Sequence, residues 1–336
     1  MKEDAMTDPV ELVEVWRGDL MENIHRGHAV ICDETGQIMQ AWGDPDAVIY
    51  PRSSCKMVQA LPLIESGAAA AFDLSDQQLA LACASHQGAQ MHVDAVDAWL
   101  AKIGRNEDDF RCGVQEPADI PTRDALIRAH ETPCQIHNNC SGKHAGFLTL
   151  TRHLGADAEY HLVDHPVQQA CKAALEETTQ VASPGFGIDG CSAPNFATTV
   201  RGLARAMAFF ASAPSRSDTR SQAAAKLTAA MIAHPALVAG ETCACTELMR
   251  AMDGKAAIKT GADGVFTAII PGHKVGVALK IADGTTRAAE CVIATLLVKL
   301  GVLDADHPAA KARMRPDILS RRGLLAGHIQ PTATLL

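Results

Sequence analysis

The sequence lacks the features that mark membrane proteins and nucleic-acid-binding proteins. Among its 336 residues, no window approaches the run of about 18 apolar residues that a membrane-spanning helix needs, so no membrane association is predicted. Lysine and arginine do not gather in clusters, and the net charge at pH 7 is −9, which argues against the basic surface that nucleic-acid binding requires. The expected partners are therefore small molecules.

A secretory signal and a disulfide pattern are also missing. The N-terminus, MKEDAMTDPVELVEVW, carries acidic residues where a secretory signal has a basic start and an unbroken apolar stretch. The eleven cysteines are odd in number and irregularly spaced, as expected for reduced thiols rather than for a disulfide framework. The sequence therefore predicts a cytoplasmic protein, and its 47% of apolar residues is enough for a sizeable core.

The pattern of apolar residues predicts an α+β fold. Residues 28–43 indicate a β-hairpin, β-rich segments return at 256–284, and the stretch from about 70 to 252 is mostly helical. Apolar residues at three- and four-residue spacing predict helices in SDQQLALACAS, VDAVDAWLAKIG and HPVQQACKAALEETT, and TTRAAECVIATLLVKLG is predicted to be an amphipathic helix after the last strands. We predict one domain over residues 1–336. In it, an antiparallel sheet built from both chain termini, at about 10–50 and 255–305, is flanked by helices, and a helical subdomain is added. The polar stretch SAPSRSDTRSQ is predicted to be a loop.

A Ser-x-x-Lys motif stands in YPRSSCK. In a helix that begins near Ser53, this serine and Lys56 share a face, so hydroxyl and amine can come within hydrogen-bond distance. A lysine shielded from water loses its proton readily, and the neutral amine can then deprotonate the serine. The alternative is a helix-capping serine followed by a solvated surface lysine. A Lys-Thr-Gly motif at Lys259 begins on a late predicted strand, and this order of motifs resembles that of serine β-lactamases and penicillin-binding proteins.

Two further segments each contain a central cysteine, HNNCSGKHAGF and GFGIDGCSAPNF. Cys140 and Lys143 lie one helical turn apart, and Cys191 lies in a glycine-rich turn. Thiolates are natural zinc ligands, but two of them do not complete a zinc site. Two buried cysteines that simply pack in the core remain the alternative.

Taken together and in this order, YPRSSCK, ACASHQG, NNCSGKHAG, GIDGCSAPNF and IKTGADG resemble the rhizobial-type L-asparaginases, a family with a serine β-lactamase-like fold. The resemblance covers nearly the whole chain. It implies a homodimer that hydrolyses L-asparagine to L-aspartate and ammonia through a β-aspartyl ester. It also implies two Ser–Lys pairs, with Ser53 the expected nucleophile: Ser53 with Lys56, and Ser85 with Lys259.

The resemblance also implies one zinc ion per chain. Its protein ligands would be Cys140, Lys143 and Cys191, with water completing the coordination sphere, and its expected role is to help hold the substrate. Asp189 and His144 are expected to orient these ligands or the bound water, although a locally hydrogen-bonded core histidine is the alternative for His144.

Substrate and oxyanion contacts are assigned by analogy. The backbone N–H groups of Ser53 and Ala262 would hold the oxyanion, as in β-lactamases. Arg52 and Asp189 are candidates for binding the charged α-groups of the substrate, and an ordinary surface salt bridge is the alternative for Arg52. His86, next to Ser85, is expected to lie in the cleft without a catalytic role.

Two other functions remain open from the sequence. One is a serine-dependent glutaminase of the same superfamily, whose substrate is longer by one methylene, a difference worth only about 1–3 kcal/mol in a fitted pocket. The thiol and lysine motif favours the asparaginase. The other is a noncatalytic zinc-binding or ligand-binding relative, which predicts metal binding without turnover.

Overall fold

The structure is a computed structural model that describes residues 8–336. The strands of this part of the chain are β1 (Val10–Arg17), β2 (Leu20–Cys32), β3 (Ile38–Trp42), β4 (Val48–Ile49), β5 (Phe186–Ile188), β6 (Pro194–Phe196), β7 (Thr198–Thr199), β8 (Ala257–Gly261), β9 (Val265–Ile270), β10 (Val275–Ile281), β11 (Asp317–Leu319) and β12 (Leu325–Pro331). 

The helices of the same part follow in chain order. They are α1 (Lys56–Gln59), α2 (Leu61–Glu65), α3 (Ala68–Ala71), α4 (Asp76–Ala82), α5 (Gln90–Lys102), α6 (Ile120–Ala129), α7 (Ser141–Leu154), α8 (Pro166–Thr179), α9 (Val200–Ser212), α10 (Thr219–Ala233), α11 (Pro235–Val238), α12 (Ala244–Ala251), α13 (Thr286–Lys299) and α14 (Pro308–Met314). None of the helices within residues 8–336 is long and apolar enough to cross a membrane.

The described chain divides into two compact units, each discontinuous in sequence. The sheet unit contains residues 8–54, 198–212 and 247–336, and the helical unit contains residues 55–197 and 213–246. The predicted fold class, an α+β protein whose antiparallel sheet is built from both ends of the chain, is confirmed. The single domain over 1–336 stays a prediction.

The sheet unit is built on one antiparallel sheet with the strand order β11-β12-β1-β2-β10-β9-β8, and β3 also pairs with β2. The hairpin predicted at 28–43 is confirmed, because Ala29 of β2 pairs with Trp42 of β3. The β8–β9 hairpin turns through Asp263 and Gly264, which both have positive φ. Strands β11 and β12 lie beyond the predicted sheet segments and complete the edge next to β1.

Helix α9 packs on this sheet, although it falls inside the stretch predicted to be the helical subdomain. A Cβ atom on Gly276 of β10 would lie 2.1 Å from the Ala208 nitrogen and 2.2 Å from the Ala204 oxygen of α9. Only glycine permits this approach of two backbones. Helical periodicity predicts that α9 exists, but not which apolar surface its buried face covers.

The helical unit surrounds α7, which is buried from Ser141 to Thr151 and packs against α2, α3, α4, α5 and α8. The helices predicted in SDQQLALACAS, VDAVDAWLAKIG and HPVQQACKAALEETT are present as α4, α5 and α8. The loop predicted in SAPSRSDTRSQ is wrong in its second half. Asp218 accepts the Ser221 N–H and caps α10, so a polar sequence that suggests a loop is the start of a helix.

Candidate active site

Ser53 lies in the 3₁₀ turn just before α1, rather than at the N-cap of an α-helix. The preceding residue, Arg52, has a φ of +53°, a left-handed conformation that costs a non-glycine residue roughly 1–2 kcal/mol. Two contacts within the sheet unit hold the turn: Arg52 pairs with Asp263, and the Ser54 hydroxyl donates to the Pro51 carbonyl at 2.7 Å. Backbone strain that is held in this way is typical of functional sites.

The Lys-Thr-Gly strand, β8, lies directly against this turn within the sheet unit. A Cβ atom on Gly261 would be 2.8 Å from the Pro51 oxygen and 3.1 Å from the Ser54 nitrogen, so glycine is needed at this position. Thr267 of β9, which pairs with Lys259, donates its hydroxyl to the Ser54 carbonyl at 3.1 Å. Two motifs far apart in the sequence are therefore neighbours in the structure.

The other predicted residues of the sheet unit belong to β8 and the turn after it. Lys259 is fully buried, and its Nζ donates to the Thr260 carbonyl at 2.9 Å. Ala262 is exposed in the β8–β9 turn. The partnership of Lys259 with Ser85 and the oxyanion contact of Ala262 stay predictions.

Lys56 begins α1 in the helical unit, and its side chain is buried. Its Nζ donates to the Ala84 carbonyl and, at 3.1 Å, to Cys140 Sγ. Ala84 directly precedes Ser85, which lies in the loop between α4 and α5. Lys56 is therefore not the solvated surface lysine of the alternative interpretation. It is shielded from water and contacts both the Ser85 loop and one predicted metal ligand.

The three predicted metal ligands are brought together in the helical unit. Lys143 Nζ lies 3.0 Å from Cys191 Sγ, the Cys140 thiol is hydrogen-bonded to Cys191, and all three residues are buried. Two soft sulfurs and one nitrogen match the donors that zinc prefers. Within the described residues, no cluster of three His, Cys, Asp or Glu side chains is suited to a metal, so a site here depends on the lysine.

Cys140, Lys143 and Cys191 shift one another's pKa values. The hydrogen bond to Cys191, together with burial, raises the pKa of Cys140 to about 12. The same hydrogen bond and the Lys143 charge lower the pKa of Cys191 well below its usual value, against the effect of burial. Burial lowers the pKa of Lys143, but the Cys191 and Cys140 sulfurs outweigh it and the net shift is upward. A metal must therefore displace a proton from Lys143 before the amine can bind it.

Asp189 and His144 occupy different surroundings. Asp189 lies in the turn of the β5–β6 hairpin, where its carboxylate accepts the Gly190 N–H, and its negative charge acts on Lys143. His144 is fully buried on α7, with Nδ1 bonded to the Tyr160 hydroxyl at 2.8 Å, and burial lowers its pKa. The contact of His144 with Tyr160 fits the alternative interpretation, a core histidine that is hydrogen-bonded locally, whereas its buried Nε2 has no hydrogen-bond partner among the described residues. The roles of Asp189 and His144 beside the metal ligands stay predictions.

Two residues that hold the site were not identified from the sequence. Asp263 pairs with Arg52, and Thr267 ties β9 to the serine turn. The only sequence signal for Asp263 is its place before Gly264 in the turn after the Lys-Thr-Gly motif. Thr267 is the one polar residue of the apolar strand β9, and it belongs to no motif.

The structure is that of an α+β protein, in which an antiparallel sheet is flanked by helices and the serine turn packs on the Lys-Thr-Gly strand. Solved structures to which the chain is similar include a putative β-lactamase from Bacteroides dorei, at 12% identity over 82% of this chain and 93% of that chain, with a TM-score of 0.45. A β-lactamase from Mycobacterium bovis is 12% identical over 78% and 89% of the two chains, with a TM-score of 0.42. An octameric penicillin-binding protein homologue from Pyrococcus abyssi is 11% identical over 82% and 73%, with a TM-score of 0.39.

A family model described as L-asparaginase II matches residues 13–331, and the chain belongs to this family. The resemblance inferred from the five motifs is therefore confirmed at the level of the family. Membership supports an asparaginase-type hydrolase that acts on an amino-acid substrate. No curated protein sequence matches the chain.

Proposed function

We propose that the protein is an L-asparagine amidohydrolase that forms L-aspartate and ammonia through a β-aspartyl ester on Ser53. The observation that carries the proposal is the contact within the sheet unit between the strained serine turn and the Lys-Thr-Gly strand. Backbone atoms of Pro51 and Ser54 lie so close to Gly261 that no side chain fits there. Family membership supports the reaction class.

In the proposed mechanism, Lys56 accepts the proton of Ser53 as the hydroxyl oxygen attacks the side-chain amide carbon of the substrate. The backbone N–H groups of Ser53 and Ala262 bind the oxyanion of the tetrahedral intermediate. The amide nitrogen takes up the proton that Lys56 accepted and leaves as ammonia, and water then cleaves the ester to release L-aspartate and restore the serine hydroxyl. Ser85 and Lys259 sustain proton transfer during both steps.

The proposed zinc ion, one per chain, would be held by Cys140, Lys143 and Cys191. When bound, it supplies positive charge that helps to hold the substrate. Asp189 is the proposed partner of the substrate α-ammonium. Arg52 is already paired with Asp263, so we assign it to holding the serine turn rather than to binding the α-carboxylate. The proposal also includes a cytoplasmic homodimer.

The test is ammonia release from L-asparagine and from L-glutamine by the wild type and three variants. Ser53→Ala and Lys56→Met should lose activity by about a thousand-fold or more, because the residual rate comes only from binding and oxyanion contacts. Ser54→Ala is the matched control. It removes the neighbouring hydroxyl and one hydrogen bond worth about 1 kcal/mol, and it should stay within about ten-fold of the wild type.

Each alternative function has its own outcome in this assay. A wild type that prefers glutamine would identify the glutaminase. Zinc binding without ammonia release from either amide would identify the noncatalytic relative. Unchanged activity in Ser53→Ala would show that the nucleophile has been misassigned, and loss of activity only in Ser54→Ala would have the same meaning.

A further inference from the structure

Backbone hydrogen bonds tie the loop that carries Ser85 to three other segments of the helical unit. It begins after α4 and leads into α5. The Ser85 N–H donates to the Val238 carbonyl at 2.9 Å, and the His86 N–H donates to the Asn139 carbonyl at 3.1 Å. The Gln87 carbonyl accepts the Asp119 N–H at 2.9 Å. The position of Ser85 is therefore set by elements that are distant in the sequence.

The His86 side chain makes a further connection from this loop, and its contacts define its tautomer. The ring is buried, and Nδ1 accepts the Gly88 N–H at 3.1 Å. Nε2 therefore carries the hydrogen and donates it to the Ser141 hydroxyl oxygen at 2.9 Å. The ring also stacks on His92, with centroids 4.6 Å apart and an interplanar angle of 9°. The imidazole is thus fixed in orientation by contacts to both ring nitrogens and to its face.

The residue that His86 contacts, Ser141, belongs to the turn that carries two of the three predicted metal ligands. Ser141 is fully buried, directly follows Cys140 and begins α7, which also carries Lys143. The next residue, Gly142, packs so closely on α4 that a Cβ atom would lie 2.4 Å from the Leu81 carbonyl oxygen. One hydrogen bond therefore connects the Ser85 loop to a turn that is already seated on α4.

We infer that His86 is a positioning residue for the hydrolysis proposed above. Its imidazole fixes the position of Ser85 relative to the N-terminus of α7, where Cys140 is the N-cap and Lys143 lies in the first turn. The inference rests on the proposed function. It adds a positioning role to the expectation that His86 lies beside Ser85 without a catalytic role. A displacement of Ser85 by about 1 Å is enough to reduce a rate by about a hundred-fold.

The test compares variants that keep or remove the hydrogen bond to Ser141. His86→Leu removes it, and Ser141→Ala removes only the acceptor hydroxyl. His86→Gln keeps an N–H donor near the place of Nε2. We expect kcat for L-asparagine to fall by about a hundred-fold in His86→Leu and by about ten-fold or more in Ser141→Ala, with KM within a few-fold. His86→Gln should recover most of kcat.

His165→Leu is the matched control. His165, the N-cap of α8, is also buried. Its Nδ1 also accepts a backbone N–H, from Val167, and its Nε2 is hydrogen-bonded to the Asp157 carbonyl. A loss of stability common to buried histidines would lower activity equally in both leucine variants. Equal loss, or kcat unchanged in both His86→Leu and Ser141→Ala, would overturn the inference.

A second measurement separates this inference from the proposed function. Hydrogen exchange at the amides of Ser85 and His86 should be at least about ten-fold faster in His86→Leu and Ser141→Ala than in the wild type and His165→Leu. If the wild type released no ammonia, the proposed function would fail. The exchange rates would still show whether the His86–Ser141 hydrogen bond stabilises the Ser85 loop. Unchanged exchange rates in both His86→Leu and Ser141→Ala would show that this hydrogen bond does not position Ser85.

Discussion

Two glycines on one face of α7 should respond in opposite ways to the same added methyl group. At Gly142 an alanine Cβ would lie 2.4 Å from the Leu81 carbonyl oxygen and 3.0 Å from its carbon. Both are backbone atoms, so no side-chain rotation relieves the overlap. At Gly146, one turn further along, the nearest atoms are 3.5 Å or more away and belong to the side chains of Leu63, Ala82 and Trp99. The two positions therefore differ only in what the methyl group meets.

The expected magnitudes follow from these distances. Alanine in a helix interior is favoured over glycine by roughly 1 kcal/mol, so Gly146→Ala should raise the unfolding free energy by up to that amount. At Gly142, overpacking should cost about 1–3 kcal/mol and outweigh any gain in helix propensity. Restoring ordinary contact at about 3.4 Å requires the first turn of α7 to move by about 1 Å from α4. Because that turn carries Cys140 and Lys143, activity should fall by about a hundred-fold.

The assay is urea unfolding of the wild type and both variants, together with ammonia release from L-asparagine. We expect the unfolding midpoint to rise in Gly146→Ala and to fall in Gly142→Ala, with activity lost only in the latter. A Gly142→Ala variant as stable and as active as Gly146→Ala would refute the reasoning, because α7 and α4 would then not be in backbone contact at this point.

Three further predictions concern the sheet, acid stability and metal binding. In urea unfolding, Gly276→Ala should destabilise the protein by about 1–3 kcal/mol, because its methyl group would overlap the backbone of α9. The control is Gly272→Ala, whose methyl group would meet no atom within 4 Å and which should stay within about 0.5 kcal/mol of the wild type. Equal effects of the two substitutions would contradict the packing of α9 on β10. Burial lowers the pKa of His28. Because the unfolded state then binds more protons below about pH 6.5, stability should fall as the pH drops through that value. His28→Asn, which offers an oxygen in place of Nδ1 to the Asp44 N–H, should flatten that part of a urea-midpoint profile, and an unchanged slope would show that another group is responsible. Zinc added to metal-free protein should raise the thermal midpoint, less so at lower pH because the ligands must lose protons, and not at all in Cys191→Ser; a shift retained in that variant would place the metal elsewhere.

Much of the fold could be predicted from local pattern. Alternation and turn residues predicted the hairpin at β2 and β3 and the strands β8, β9 and β10, and helical spacing predicted α4, α5, α8 and α13. The errors arose where local and tertiary information differ. Asp218 caps α10 within a stretch of loop-like composition, and α9 has the periodicity of any amphipathic helix although its partner is the sheet.

For the candidate site, too, the sequence predicted the reactive residues but not the contacts between them. The five motifs carry two serines, three lysines and two thiols of the candidate site, and they were sufficient to indicate the family. They do not show that Arg52 is held in a left-handed conformation, that Lys56 is buried against Cys140, or that His86 donates to Ser141. Each of these features depends on how segments that are distant in the sequence pack together. The spacing of residues in one sequence carries no information about that packing.

The amino-acid order alone determined which reactive groups the protein possesses, in what sequence they occur and which segments favour strand or helix, because those properties are local. Tertiary structure decided which groups meet. Glycine at positions 142, 261 and 276 allows backbones from remote segments to touch, and that contact brings the serine turn against its strand and seats α7 on α4. The free energy that selects these arrangements comes from burying whole surfaces at once, so it belongs to the assembled chain rather than to any motif.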